Sequence, residues 1–192
     1  MRSRIRSERG QSIIEMAMML PILTVVALGV VELSWALLDQ HVVTKLTREG
    51  SNLISRDVSL LDAATALRNM ASRPVNFDAN ARVIFSVIKR GNTAGTANFD
   101  KDILYQRYEY GSYAASSQLT TRGSGNFAGA PDFQASNSDN DANLQLVNFP
   151  ANLMTRGDML YVTEVYSQHT LITPFDHFGI QVPNRLYAIA YF

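Results

Sequence analysis

Between Met16 and Val31 only Pro21 and Thr24 break an apolar run, and after Glu32 the sequence LSWALL carries it on to Leu38. About 23 such residues, rising 1.5 Å each as a helix, are long enough to cross a hydrocarbon core of roughly 30 Å. We assign residues 11–38 to a single transmembrane helix. Pro21 is tolerated in such a helix, where it predicts a bend, and Trp35 suits an interfacial anchor at the far end.

The flanks set the expected orientation. Arg2, Arg4, Arg6 and Arg9 precede the run, whereas Asp39, Lys45, Arg48 and Glu49 after it balance one another. The positive-inside rule then places the amino terminus in the cytoplasm and everything after Leu38 outside the membrane. The expected location is the inner, cytoplasmic membrane, crossed once.

Two carboxylates need a reason to be here. Glu15 and Glu32 lie about 25 Å apart along a helix, which suits opposite interfaces of one bilayer, and Glu32 is expected to be exposed at its interface. Glu15 has a second relationship. A cut after Gly10 would make the ammonium of Gln11 the chain start, one helical turn before Glu15. A carboxylate in lipid costs about 2.5–3.5 kcal/mol on insertion scales, and an amine of the same or a neighbouring subunit would offset that. The residues alone also allow two other fates. One is cleavage after Ser34-Trp35-Ala36, releasing a chain that starts at Leu37; the other is an uncleaved anchor.

With 192 residues, there is room for one domain and an appendage. The chain has no cysteine, which excludes a disulfide framework, a thiolate metal site and a lipid-modified cysteine anchor. Formal net charge is zero. No clustered basic face follows the leader, so nucleic acid is not an expected partner.

After the membrane run, Val42, Leu46, Leu53 and Ile54, with Val43 and Gly50 beside them, recur at helical spacing. Gly50 would permit close packing or flexibility, and Gly50, Ser51 and Asn52 weaken the helix there. A second helix is predicted from Ser59, where Ser-x-x-Asp forms a capping box and Leu60, Ala64, Leu67 and Ala71 share a face. Arg73-Pro74 is expected to end it, and a break is expected near Asp57. Residues 39–73 thus read as amphipathic stem helices.

From residue 74 to 192 the period changes. Ala81–Lys89, Ile103–Tyr110, Met159–Ser167 and Leu186–Phe192 are rich in Val, Ile, Tyr and Phe and are bounded by turn residues. They predict an antiparallel four-stranded sheet covered on one face by the stem, an α+β fold. The tract 111–143, dominated by Gly, Ser, Ala, Asn and Thr, reads as a long solvated loop. Tyr113, Phe127 and Phe133 within it leave room for a partner-binding surface.

Chemistry is sparse. Asn137, Asp139 and Asp141 alternate like calcium ligands, but Ala142 stands where glycine is needed and no bidentate Glu follows. His41, His169 and His177 have no zinc spacing and read as scattered turn residues, although His169 and His177 flank Asp176. Nucleophile-elbow, phosphate-loop and dinucleotide motifs are missing. No catalytic or metal residue is assigned, and no cofactor or small-molecule substrate is expected.

The stretch from Arg9 to Leu38, with its basic leader ending in Gly10, Glu15 fifth after the junction, Pro21 and Glu32, resembles the TadE-like minor pilins, or pseudopilins, of tight-adherence (Tad) pili. "REGS" at Arg48 to Ser51 fits the same pattern. A weaker likeness covers Gly157 to Phe175, a late strand followed by a Thr-Pro turn. The resemblance implies a pilin-like fold, a leader over residues 1–10, and cleavage between Gly10 and Gln11 by a prepilin peptidase. It also implies assembly with other pilin subunits through the amino-terminal helix. The alternative is an extracytoplasmic binding module, anchored or released, that enters no filament.

Overall fold

The computed structural model describes residues 8–150, 153–174, 179 and 184–192; the side chains of residues 8–10 lie outside this description. The chain divides into two units, one of residues 1–38 with 171–183 and one of residues 39–170 with 184–192. Helix α1 spans Glu8–Ile54 and helix α2 spans Leu60–Met70. Among the described residues the strands are β1 (Ala81–Arg90), β2 (Asp102–Gly111), β3 (Met159–Gln168) and β4 (Arg185–Tyr191). The fold class is α+β, as expected from the change of period.

α1 runs unbroken for 47 residues, about 70 Å at the usual rise, and neither Pro21 nor Gly50 ends it. It stops after Ile54, where Arg56 N–H turns back to the Leu53 carbonyl and Asp57 takes a left-handed φ of 61°. Ser59 then caps α2. Its hydroxyl oxygen accepts from the Asp62 N–H at 3.1 Å and its O–H donates to Asp62 Oδ2 at 2.7 Å.

α2 ends at Met70, three residues before the expected stop at Arg73. Ala71 is already extended, and the early exit brings Val75 and Phe77 into the core at 4% and 2% exposure. Burial of two large side chains outweighs another helical turn that would be solvent-facing.

The strands pair antiparallel in the order β2-β1-β3-β4. One face carries Val83, Phe85 and Val87 of β1 and Val165 of β3. Against it pack Val43, Leu46 and Ile54 of α1 and Leu60, Ala64 and Leu67 of α2. The opposite face holds Ile88 and Val162, covered by Leu119 and Met154 from the irregular segments.

The tract 111–143 has no strand of its own and much of it is exposed, as expected, but it is anchored to the sheet. Ala135 N–H bonds the Tyr105 carbonyl at 2.7 Å and Arg107 N–H bonds the Phe133 carbonyl at 3.3 Å, so the tract is laced along the outer edge of β2. Phe133 stacks on Tyr108 with ring centroids 4.2 Å apart. Edge strands expose unpaired backbone groups, and this strap satisfies those of β2.

Candidate assembly and membrane site

The amino-terminal part of α1 carries apolar side chains with little protein around them: Met18 is 71% exposed, Leu33 62% and Leu37 63%. Among the described residues α1 is the one helix long and apolar enough to cross a membrane. A continuous apolar surface of this kind needs lipid or neighbouring helices to cover it. Two of its hydroxyls are satisfied internally, Thr24 donating to the Leu20 carbonyl at 2.9 Å and Ser34 to the Val30 carbonyl at 2.8 Å. That is the arrangement an apolar medium demands.

Glu15 meets Gln11 one turn earlier, where the side-chain amide Nε2 donates to Glu15 Oε1 at 2.9 Å. The helix therefore brings these two predicted residues together on an exposed face, with the Gly10 backbone helical just before them. Residues 1–7, the rest of the expected leader, lie outside the described residues. Trp35, the expected interfacial anchor, is 46% exposed.

Glu32 departs from its expected interfacial exposure. It is 2% exposed, and its carboxylate accepts from the Ile172 N–H at 3.2 Å, the Thr173 N–H at 2.9 Å and the Thr173 hydroxyl at 2.6 Å. The reason is positional. Residues 171–174, far away in sequence, fold back beside α1 within the same unit, and their donors enclose the acid.

Residues 10–52 match the family described as TadE-like protein. This segment is similar to the TadE-like family. The match opens at Gly10, includes Gln11, Glu15, Pro21, Glu32 and Trp35, and stops two residues before the end of α1. No curated protein and no solved structure matches the chain.

Beyond the TadE-like segment, the structure shows a polar cluster that sequence reasoning missed. Glu164, in the middle of β3, is fully buried. It accepts from the Ser117 hydroxyl, from the Gln118 N–H at 2.8 Å, and from the Tyr166 and Tyr187 hydroxyls at 3.2 and 3.1 Å. Arg107 joins through Ser117 Oγ at 3.0 Å and also donates to the Leu119 carbonyl at 3.1 Å. Burial pulls the Arg107 pKa down, partly countered by the charges of Glu109 and Glu164. Burial first, and then the Glu164 charge, pushes the Tyr187 hydroxyl well above the ordinary tyrosine range.

This cluster fastens the strap to the sheet. A buried carboxylate with four donors is engaged as an acceptor, which suits holding rather than proton transfer. One signal was legible beforehand: Thr163 and Glu164 interrupt the apolar and aromatic run from Met159 to Tyr166, and an acid there must either face water or find donors.

Several of the remaining candidates have structural partners. His169 was expected as a scattered turn residue, yet its side chain is 1% exposed and its Nδ1 meets Asp39 Oδ2 at 2.6 Å. Asp39 and His169 both belong to the unit of residues 39–170 with 184–192, so this contact lies within that unit. His41 is exposed, and Asp176 and His177 lie outside the described residues. Asp141 caps a short 3-10 turn, Ala142–Leu144, by accepting from the Asn143 N–H, while Asn137 Oδ1 accepts from the Asn140 N–H. Turn-making explains the alternating Asn and Asp residues. Among the described residues no cluster of three His, Asp or Glu could hold a metal ion.

Proposed function

We propose that this protein is a structural, non-enzymatic component of a Tad-type pilus: a minor pilin, or pseudopilin, held in the inner membrane by residues 11–38. In this reading the amino terminus is cytoplasmic, the remainder is extracytoplasmic, and a prepilin peptidase cuts between Gly10 and Gln11. The mature subunit then joins other pilins through α1, with Glu15 facing the new Gln11 ammonium of its own or a neighbouring chain. The large outer unit suits a minor subunit.

The observation that carries this reading is a carboxylate one turn from Gln11 at the start of an otherwise apolar helix, inside the TadE-like match over residues 10–52. Such an acid is expensive in lipid, so its presence calls for a cationic partner. Removal of the leader creates one at the right distance.

Intact mass spectrometry of protein extracted from its native membrane tests the proposal. A chain starting at Gln11 with a free amine supports it. A start at Leu37 or Met1 overturns it, in favour of a released or anchored binding module respectively. A Gln11 cyclised to pyroglutamate would retain the cleavage and remove the charge pairing.

A further inference from the structure

The turn at residues 171–174 has an unusual combination of composition and bonding. Its backbone is irregular, yet the N–H groups of Ile172 and Thr173 and the Thr173 hydroxyl all reach Glu32, and Pro174 has no N–H to satisfy. Around Glu32 the helix shows Val30 at 61%, Val31 at 45% and Leu33 at 62% exposure, so the acid is sheltered within an apolar surface. Ile172 adds a further apolar side chain, 49% exposed, at the same level of the helix.

That level can be placed. Residues 11–38 rise about 40 Å as a helix, and a hydrocarbon core of roughly 30 Å centred on them runs from about Glu15 to about Ser34. Such a core meets Glu15 at one boundary and holds Glu32, with the turn bonded to it, just inside the other. Irregular backbone survives at such depth only when its polar groups are satisfied. Here the carboxylate satisfies the turn's donors and the donors shelter the carboxylate.

We propose that residues 171–174 form a membrane-dipping turn that enters the leaflet surrounding the Glu32 end of α1, with Ile172 as the inserted side chain and phospholipid acyl chains as its partner. The inference rests on the reading of residues 11–38 as a membrane span. It adds a second contact with the bilayer, contributed by a segment distant in sequence.

Because the chain has no cysteine, single Cys variants can be read cleanly. Full-length Ile172→Cys and Leu33→Cys, each labelled with an environment-sensitive nitrobenzoxadiazole dye, are placed in vesicles of phosphatidylethanolamine and phosphatidylglycerol. A fraction of the lipids carries a nitroxide on the acyl chain near the headgroup. Blue-shifted emission at position 172, lost to the nitroxide to the same extent as at position 33 and resistant to aqueous iodide, is expected. Water-like emission at 172 with quenching at 33 overturns the turn's insertion and leaves the span intact. Loss of quenching at both positions overturns the span and the turn together. An unlabelled thiol gives an independent reading, since thiolate attack needs water. Ile172→Cys should react with a charged maleimide as slowly as Leu33→Cys, and a rate like that of Val147→Cys, at a 59% exposed site, overturns the proposal.

Discussion

Glu32 and Thr173 are joined twice through one oxygen, Glu32 Oε2 accepting the Thr173 N–H at 2.9 Å and its hydroxyl at 2.6 Å. The two residues are 141 positions apart. This relationship ties the apolar helix to the turn that follows β3 and converts an awkward acid into a fastening point. Hydrogen bonds to charged groups contribute about 1.5–3 kcal/mol, so Glu32→Ala should free the turn. Hydrogen exchange of the Ile172 and Thr173 amides reads this: protection is expected to fall sharply in Glu32→Ala and less in Glu32→Gln, which keeps one oxygen acceptor.

The proposed processing and assembly roles should separate by residue. Gly10→Leu should leave an unprocessed precursor on an immunoblot of native membranes. Glu15→Leu should leave the protein inserted and folded while pilus yield collapses. Undiminished pili from Glu15→Leu would remove the charge pairing from the account.

The strap over the sheet depends on Glu164. Glu164→Ala leaves the Ser117, Tyr166 and Tyr187 hydroxyls and the Gln118 N–H without their shared acceptor, a loss of about 3 kcal/mol or more. Denaturant unfolding of the full chain in detergent measures it. Ser117→Ala removes one donor and should cost less, about 1–2 kcal/mol.

Gly50 permits a close approach. A Cβ there would lie 2.7 Å from Thr163 Cγ2 and 3.1 Å from Leu67 Cδ1. Alanine gains about 1 kcal/mol of helix propensity over glycine, yet Thr163 is a stiff β-branched residue in a central strand and cannot swing aside. Overpacking, at about 1–3 kcal/mol, should win, making Gly50→Ala destabilising. The same change in a Thr163→Ser background, which lacks Cγ2, should cost less. Thermal melts of the four proteins give the coupling.

Alkaline pH should loosen the unit that holds the sheet. Burial raises the pKa values of Tyr161, Tyr166, Tyr187 and Tyr191 above the ordinary value near 10. Above about pH 10 the unfolded chain releases these protons while the folded one keeps them, so their stabilising contribution is intact below that pH and declines as pH rises through it. Melting temperature measured from pH 8 to pH 11 should fall, and the slope should be shallower for Tyr187→Phe.

The elements themselves were legible in the chain. All four expected strands lie within one residue of their observed limits, because Val, Ile, Tyr and Phe alternate between Gly, Asn, Pro and Asp punctuation that the backbone obeys locally. The stem stripe was legible too: of Val42, Leu46, Leu53 and Ile54, with Val43 and Gly50 beside them, Val43, Leu46, Gly50 and Ile54 are buried, while Val42 and Leu53 pack half-buried against the core. That Gln11 and Glu15 stand one helical turn apart followed from the spacing, although the bond observed runs from the Gln11 side-chain amide and not from a chain-start ammonium.

Other features depend on which distant segments meet. Whether Glu32 faces water or donors, whether His169 is loose or held by Asp39, and whether residues 111–143 float or strap β2 cannot follow from local pattern. Nor can the end of α2, set by the pull of Val75 and Phe77 into the core. The sequence determined the apolar helix and the strands because backbone preference and hydrophobic period act over a few residues. Tertiary structure decided the fate of each buried polar group, because a buried acid is tolerated only by donors that the fold carries to it.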